Sequence, residues 1–251
     1  MIKTEDIKKI IKLVLLTGDI KNVKPVSLLI VGKSGNGKTE LLAHYDKKKA
    51  LYITDLSAYG LVSELEKNPE IKHIIVPDFI KLTQKNRSTS DNLISMLNAL
   101  IEEGGAKISL KNYSTDLSGR QIGLITATTK ASFSQNKMAW GTIGFMQRML
   151  IISYDYTDET IQEIFSYINQ ELFIDDKKEK LKDQKPKEVL TDKEINKKLN
   201  PFSKKSFRSL KNLQALVKAN ALMNGRREAT EEDVQEIIRL TNFMNLKFNK
   251  I

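Results

Sequence analysis

The residues with the clearest chemical potential form one continuous run near the amino end of the chain. They follow the spacing G-x-x-x-x-G-K-T and comprise Gly32, Lys33, Ser34, Gly35, Asn36, Gly37, Lys38 and Thr39. Glycines at these positions let the backbone turn so that several N–H groups point at one anion. The lysine adds a positive charge, and the threonine hydroxyl can bind Mg²⁺. The run therefore predicts a loop that binds the phosphates of a nucleotide, with ATP as the expected ligand.

A carboxylate that could complete a magnesium site follows another apolar run. Ile74-Ile-Val-Pro-Asp78 has the pattern of a buried strand that ends on an aspartate. In ATPases with this kind of loop, Mg²⁺ is held by the loop hydroxyl and by a carboxylate from a nearby strand. We therefore predict that Thr39 and Asp78 bind Mg²⁺ together. The simpler alternative is that Asp78 only terminates a strand.

Alternating strands and helices are predicted to position these residues. Short apolar runs of this kind suit strands that are covered by helices on both faces. Their alternation with helical patterns indicates a three-layered α/β fold with a mostly parallel five-stranded sheet. The predicted strands are 26–31, 50–54, 71–76, 122–127 and 149–154, and the predicted helices between them are 38–47, 56–67 and 90–103.

The remaining segments fall outside this alternation. An amphipathic helix is predicted near the amino terminus, and residues 104–121 have the pattern of an inserted β-hairpin. Helices are predicted to begin at Thr157, near Ser206 and at Thr230, with a lysine-rich, exposed and mobile connection over 175–205. We therefore expect a nucleotide-binding α/β core over residues 1–156 and a small helical lid domain over 157–251.

Composition excludes several classes of chemistry. The chain has 251 residues, 40% of them hydrophobic and 29% charged, and it has no cysteine, so thiol nucleophiles and thiolate metal sites are excluded. Its two histidines, His44 and His73, show no spacing typical of a metal site. No run approaches the length of a membrane span, and we expect a cytoplasmic protein. The net charge of +10 favours a polyanionic partner such as DNA.

Taken in order, these motifs resemble the AAA+ superfamily of P-loop ATPases over nearly the whole chain. Asp78 resembles the Walker B aspartate. Thr128 and Thr129 resemble the sensor-1 segment, which holds the attacking water near the γ-phosphate. Arg148 resembles the arginine finger, which reaches into the nucleotide of a neighbouring subunit, and Arg208 resembles the sensor-2 arginine of the lid. The resemblance implies an oligomer, a ring or partial ring, that uses ATP and Mg²⁺.

The hairpin is similar to the pre-sensor-1 insertion of one branch of that superfamily, which includes minichromosome-maintenance helicases and MoxR-type ATPases. In several members this hairpin contacts DNA or a protein partner. The resemblance implies that Lys107, Lys111 and Arg120 supply basic contacts, with Tyr113 at the turn. The alternative is that these are solvated hairpin residues without a partner.

One residue departs from the family pattern. The Walker B aspartate is usually followed by a glutamate that polarises the attacking water, but Asp78 is followed by Phe79. Glu102 or Glu103 could substitute for it in space. The sequence thus predicts an ATPase that couples ATP to work on a polymer, with DNA as first choice. The alternatives are a slow or non-hydrolysing nucleotide switch and a MoxR-type protein remodeller.

Overall fold

Nine strands are present in the computed structural model, which describes residues 4–55, 57–83, 87–104, 107–110, 113–170, 178–183, 185–203 and 206–244. In chain order they are β1 (Ser27–Gly32), β2 (Tyr45–Asp46), β3 (Ala50–Tyr52), β4 (His73–Val76), β5 (Lys107–Leu110), β6 (Tyr113–Asp116), β7 (Gly123–Thr129), β8 (Met149–Ser153) and β9 (Glu179–Lys180). Five of them form the central sheet in the order β3-β4-β7-β1-β8, and every pairing in it is parallel. The predicted α/β fold with a parallel five-stranded sheet is confirmed.

Helices cover both faces of this sheet. They are α1 (Glu5–Thr17), α2 (Lys38–Ala43), α3 (Ala58–Lys67), α4 (Ile80–Thr83), α5 (Arg87–Asn98), α6 (Lys130–Thr142), α7 (Asp158–Asn169), α8 (Lys193–Lys197), α9 (Phe207–Met223) and α10 (Glu231–Leu240). A π-helical turn, Ala99–Glu103, extends α5, and 3-10 turns cover Met146–Arg148, Asn200–Ser203 and Thr241–Met244. All residues of β1 are buried, as expected for a strand between two helical layers.

The two layers enclose two apolar clusters. On one face, Leu29 and Val31 of β1 pack with residues of α3, α5 and α6. On the other, Leu28 and Ile30 share a cluster with α1, α9 and α10. The carboxyl-terminal helices α9 and α10 therefore pack on the same core as the sheet. Within the described residues, the small helical lid domain predicted for 157–251 is therefore not confirmed.

Three local predictions need correction. Helix α2 ends at Ala43 and not at residue 47, because the chain enters β2, which pairs with β9. The connection over 175–205 is not simply exposed, since Val189 and Leu199 are buried in the core. The helix predicted over 90–103 begins earlier, at Arg87, and its last turn, Ala99–Glu103, is π-helical.

Other local predictions are confirmed. The inserted hairpin exists as the antiparallel pair β5–β6, with Leu110 opposite Tyr113. Thr157 caps α7 by accepting a hydrogen bond from the backbone N–H of Thr160 at 3.3 Å. At the start of α10, the backbone N–H of Thr230 donates to the Asp233 carboxylate at 2.8 Å. Such capping interactions depend on neighbours in sequence, which is why they were predictable.

A buried ion triad ties the end of α1 to the sheet. Asp19 is fully buried and accepts from Lys47 Nζ at 2.6 Å and from Lys49 Nζ at 2.7 Å. Lys47 Nζ also donates to the backbone carbonyl of Leu15 at 2.8 Å. Removing one member of such a cluster leaves an uncompensated charge away from water.

We predict that Asp19→Ala destabilises the fold by about 3–5 kcal/mol, because Lys47 then stays buried without its counter-ion. Urea denaturation followed by circular dichroism measures the change. Glu194→Gln is the control, since it breaks an exposed Lys197–Glu194 pair within α8 and should leave the unfolding midpoint unchanged. Equal midpoints for the two variants would contradict the role given to the triad.

His73 provides a second stability prediction. Its ring is fully buried beside Gly123, where a Cβ would lie 2.7 Å from the His73 Cδ2 atom. Burial, together with the charges of Lys47 and Lys72, lowers the pKa of His73 to about 3. The unfolded chain takes up this proton near pH 6.5. Stability is therefore fully present above pH 6.5 and falls as the pH decreases towards 3.

The expected loss is up to about 1.4 kcal/mol per pH unit within that window. Urea denaturation at a series of pH values between 7.5 and 5 measures it. His73→Leu, which cannot titrate, should show a shallower pH dependence than the natural chain even if it is less stable overall. The same pH slope in both proteins would show that His73 is not the group responsible.

Candidate functional site

The predicted phosphate-binding loop connects the carboxyl end of β1 to the start of α2. Gly35 and Gly37 adopt positive φ angles of 79° and 66°, a region that residues with a Cβ rarely occupy. The conformation of the loop therefore requires glycine at both positions. Lys33, Ser34 and Gly35 are exposed, so the loop is open to a ligand from solvent.

Lys38 lies against the inside of this loop. Its Nζ donates to the backbone carbonyl of Lys33 at 2.5 Å and to that of Gly32 at 3.3 Å. Partial burial lowers the pKa of Lys38, and the nearby carboxylates of Asp78 and Glu40 oppose that shift. An anionic phosphate bound in the loop would offer the ammonium group a stronger partner than these neutral carbonyls.

Asp78, the predicted metal ligand, lies near the loop. It follows β4 at the carboxyl edge of the sheet, and its charge acts on Lys38. Its Oδ1 accepts from the backbone N–H of Ile80 at 3.1 Å, which fixes the side chain. Thr39 lies exposed in the first turn of α2. This oxygen donor set suits Mg²⁺, which commonly takes one or two protein oxygens and completes its coordination with phosphates and water.

A dedicated all-protein metal cage is not seen in the described part of the chain, where no group of three His, Cys, Asp or Glu residues has a suitable arrangement. A cation at Thr39 and Asp78 would therefore depend on ligand phosphates for much of its coordination. This dependence fits a site in which Mg²⁺ arrives together with a nucleotide.

Strand β7 brings Thr128 and Thr129 to the loop. It lies between β1 and β4, with Thr128 opposite Val31 and Thr129 opposite Gly32. The Thr129 hydroxyl is already used as the cap of α6, since it accepts from the backbone N–H of Ser132 at 3.1 Å. The Thr128 hydroxyl is buried and has no hydrogen-bond partner among the described residues. Of the two, Thr128 therefore has the unused polar group, and an unpartnered buried hydroxyl is uncommon in folded proteins.

Two tyrosines that sequence reasoning missed hold the loop in place. Tyr154 Oη donates to the backbone carbonyl of Asn36 at 2.5 Å, and Tyr156 Oη donates to the same carbonyl at 3.4 Å. Burial raises the pKa of both hydroxyls, so both stay protonated as donors at neutral pH. Their position directly after β8 could have indicated this role. The carboxyl ends of the parallel strands β1 and β8 lie at the same edge of the sheet, so residues after β8 lie close to the loop after β1.

Phe79 belongs to the core and not to the site. It is fully buried, its ring stacks on Phe145 with centroids 4.9 Å apart, and it meets Trp140 edge to face, also with centroids 4.9 Å apart. Its backbone N–H donates to the carbonyl of Ala127 at 2.9 Å, which joins the end of β4 to β7. The aromatic residues around Trp140 therefore pack in the core, and the position after Asp78 provides no general base.

Arg148 and Arg208 lie at the opposite edge of the sheet. Both line a groove with Ser27, the first residue of β1, whereas the loop begins at Gly32. Five residues of strand separate the two edges by about 17 Å. Arg208 pairs there with Glu102 at 3.2 Å. The structure thus gives Arg208 no contact with the nucleotide site of its own chain, contrary to the sensor-2 expectation.

The same location excludes Glu102 as a substitute for the missing glutamate in this chain, and the Glu103 side chain lies outside the described atoms. Arg148 donates from Nη1 to the carbonyl of Gly144 at 2.5 Å and likewise cannot reach its own loop. This position is compatible with action on a neighbouring subunit.

Arg120 has a structural role instead of the predicted basic contact. Its Nη2 donates to the carbonyls of Asn68 at 3.1 Å and Pro69 at 3.2 Å, and its Nη1 donates to that of Leu65. These bonds satisfy carbonyls at the end of α3. Lys111 and the side chains of Lys107 and Tyr113 lie outside the described atoms.

No protein-family model matches the chain, and a search of curated proteins finds no match either. None of the described helices combines the length and apolar character needed to cross a bilayer. The interpretation of the site therefore depends on its own geometry.

We predict that Tyr154→Phe weakens binding of a non-hydrolysable ATP analogue by about 2- to 12-fold, the equivalent of one hydrogen bond of about 0.5–1.5 kcal/mol. The variant lacks the hydrogen bond from Tyr154 to the Asn36 carbonyl, which holds the loop, but it keeps the aromatic ring in the core. Isothermal titration calorimetry measures the affinity. Tyr59→Phe, which changes an exposed ring on α3, is the matched control and should leave affinity unchanged. Equal affinities for both variants would contradict a positioning role for Tyr154.

Proposed function

We propose that this chain binds ATP together with Mg²⁺ at the loop Gly32–Thr39 and acts as a P-loop ATPase of AAA+ type. The observation that carries the proposal is convergence at one sheet edge. The left-handed glycine loop, Lys38, Asp78 and the unpartnered Thr128 hydroxyl come from three adjacent strands and meet there. A glycine-rich turn without a ligand would need none of the other groups.

Each side chain has a distinct role in this proposal. Loop N–H groups hold the phosphates, and Lys38 neutralises charge on the β- and γ-phosphates. Thr39 and Asp78 would hold Mg²⁺, which would supply further charge neutralisation when bound. Thr128 orients the attacking water, and Tyr154 keeps the loop in shape. Phosphoryl transfer asks mostly for positioning and charge stabilisation, which these groups supply.

The rate of hydrolysis is expected to be low. General-base assistance is typically worth about 10²–10⁴ in rate, and buried Phe79 cannot provide it. This observation favours a second candidate function, a nucleotide-dependent switch whose bound state matters more than its turnover.

Assembly and partner are further parts of the proposal. Arg148 lies about one strand length from its own loop, so it would act on nucleotide only in a neighbouring subunit, as in a ring or partial ring. The net charge of +10 supports DNA as the polymer on which the oligomer works. A protein remodeller of MoxR type, for which this charge would be incidental, is the alternative.

The binding proposal is tested with Lys38→Ala. Loss of one charge-assisted contact of about 1.5–3 kcal/mol should weaken affinity for Mg²⁺-ATP by about 10- to 150-fold in calorimetric titration. Lys33→Ala is the matched control, because its side chain is exposed and only its backbone belongs to the loop. Unchanged affinity in Lys38→Ala would overturn the nucleotide site.

Steady-state release of phosphate, measured with and without DNA, then separates the functions. Turnover stimulated by DNA supports the DNA-coupled ATPase. Tight binding without turnover supports the switch, and turnover indifferent to DNA supports the remodeller. Sedimentation with an ATP analogue measures assembly, and Arg148→Ala should reduce turnover while leaving nucleotide affinity within a few-fold.

A further inference from the structure

A second, positively charged cavity lies at the amino edge of the sheet. This amino-edge groove has a volume of about 390 Å³ and is formed by the segment before β1, the π-helical turn after α5 and the first turns of α9. Five cationic side chains line it: Lys24, Arg148, Arg208, Lys211 and Lys218.

Positive charge in the groove is largely unneutralised. Among the lining residues Glu102 is the only acid, and it pairs with Arg208 at 3.2 Å. Lys24 Nζ donates to the backbone carbonyl of Glu102 at 2.6 Å, a contact that does not cancel its charge. Five cations and one carboxylate leave a surplus of four positive charges around one cavity. Such concentration attracts a polyanion.

A solvent-exposed aromatic ring lies beside these charges. Phe207, the first residue of α9, is 87% exposed although it lines the groove. Helix α9 itself is well anchored, since Ser206 caps it and Leu213 and Leu216 are fully buried. A large apolar ring held in solvent on a rigid helix, next to cations, is the arrangement on which a nucleobase can stack.

We propose that the amino-edge groove binds a single strand of nucleic acid. The phosphates lie along Lys211, Lys218 and Arg208, and one base stacks on Phe207. A duplex is disfavoured because its bases are paired and stacked inside, and one of them would have to leave the stack to reach Phe207. The groove lies about 17 Å from the loop at Gly32. It therefore gives the proposed DNA partner a location without depending on the nucleotide site.

Fluorescence anisotropy of the full chain with a labelled oligothymidylate of about 12 nucleotides tests the proposal. Phe207→Ala should weaken binding about tenfold, while Phe165→Ala, which removes a half-exposed ring on α7 outside the groove, should not change it. Lys211→Gln should weaken binding and reduce the slope of log affinity against log salt by about 0.7, unlike exposed Lys182→Gln.

Glu102→Gln is expected to change oligonucleotide affinity in the opposite direction. It removes the single carboxylate from the groove lining, so it should tighten oligonucleotide binding a few-fold. Lys38→Ala, which tests the nucleotide site, should leave the affinity for the oligonucleotide unchanged. The two proposals can therefore fail independently of each other.

Two results would overturn the proposal. One is an affinity that does not respond to Phe207→Ala and Lys211→Gln, and the other is a duplex of the same length that binds as tightly as the single strand. Oligouridylate in place of oligothymidylate distinguishes RNA from DNA, since the 2′-hydroxyl is the main difference between the two strands.

Discussion

The structure depends on the complete burial of β1. Its side chains alternate between two apolar clusters, and its edges are paired by β7 on one side and β8 on the other. A strand held from four directions has one position and one register. The two ends of β1 therefore have fixed positions relative to the core. The glycine loop leaves from the carboxyl end, and the basic groove is built around the amino end.

This arrangement explains why the two edges have different chemistry. Parallel strands place all their carboxyl ends together, so Lys38, Asp78, Thr128 and Tyr154 meet although they are far apart in sequence. The amino edge receives instead the start of α9, because α9 packs along α1 in the core that lies against β1. Arg208 and Phe207 are carried to the groove by that packing and not by any local motif.

At position 79, after the end of β4, the core requires an apolar side chain, whereas fast hydrolysis would require a carboxylate. Phe79 stacks on Phe145, meets Trp140 edge to face, and belongs to the apolar cluster that contains Leu29 and Val31. A carboxylate at that position would be buried among rings and would cost several kcal/mol unless it stayed protonated. The proposed metal ligand Asp78 therefore has an apolar neighbour in Phe79, which favours the proposed retention of nucleotide over rapid cleavage.

The sequence by itself determined the features that depend on near neighbours. Spacing, apolar runs and capping residues within a few positions set the glycine loop, the five strands of the sheet, the hairpin and the helix starts at Thr157 and Thr230. Only the tertiary structure decided the partners of long side chains. Arg120 satisfies the end of α3, Arg208 pairs with Glu102, and Tyr154 anchors Asn36, because each contact joins segments more than fifty residues apart. The sequence around a charged or hydroxyl-bearing residue does not show which distant carbonyl or carboxylate will lie beside that residue in the fold.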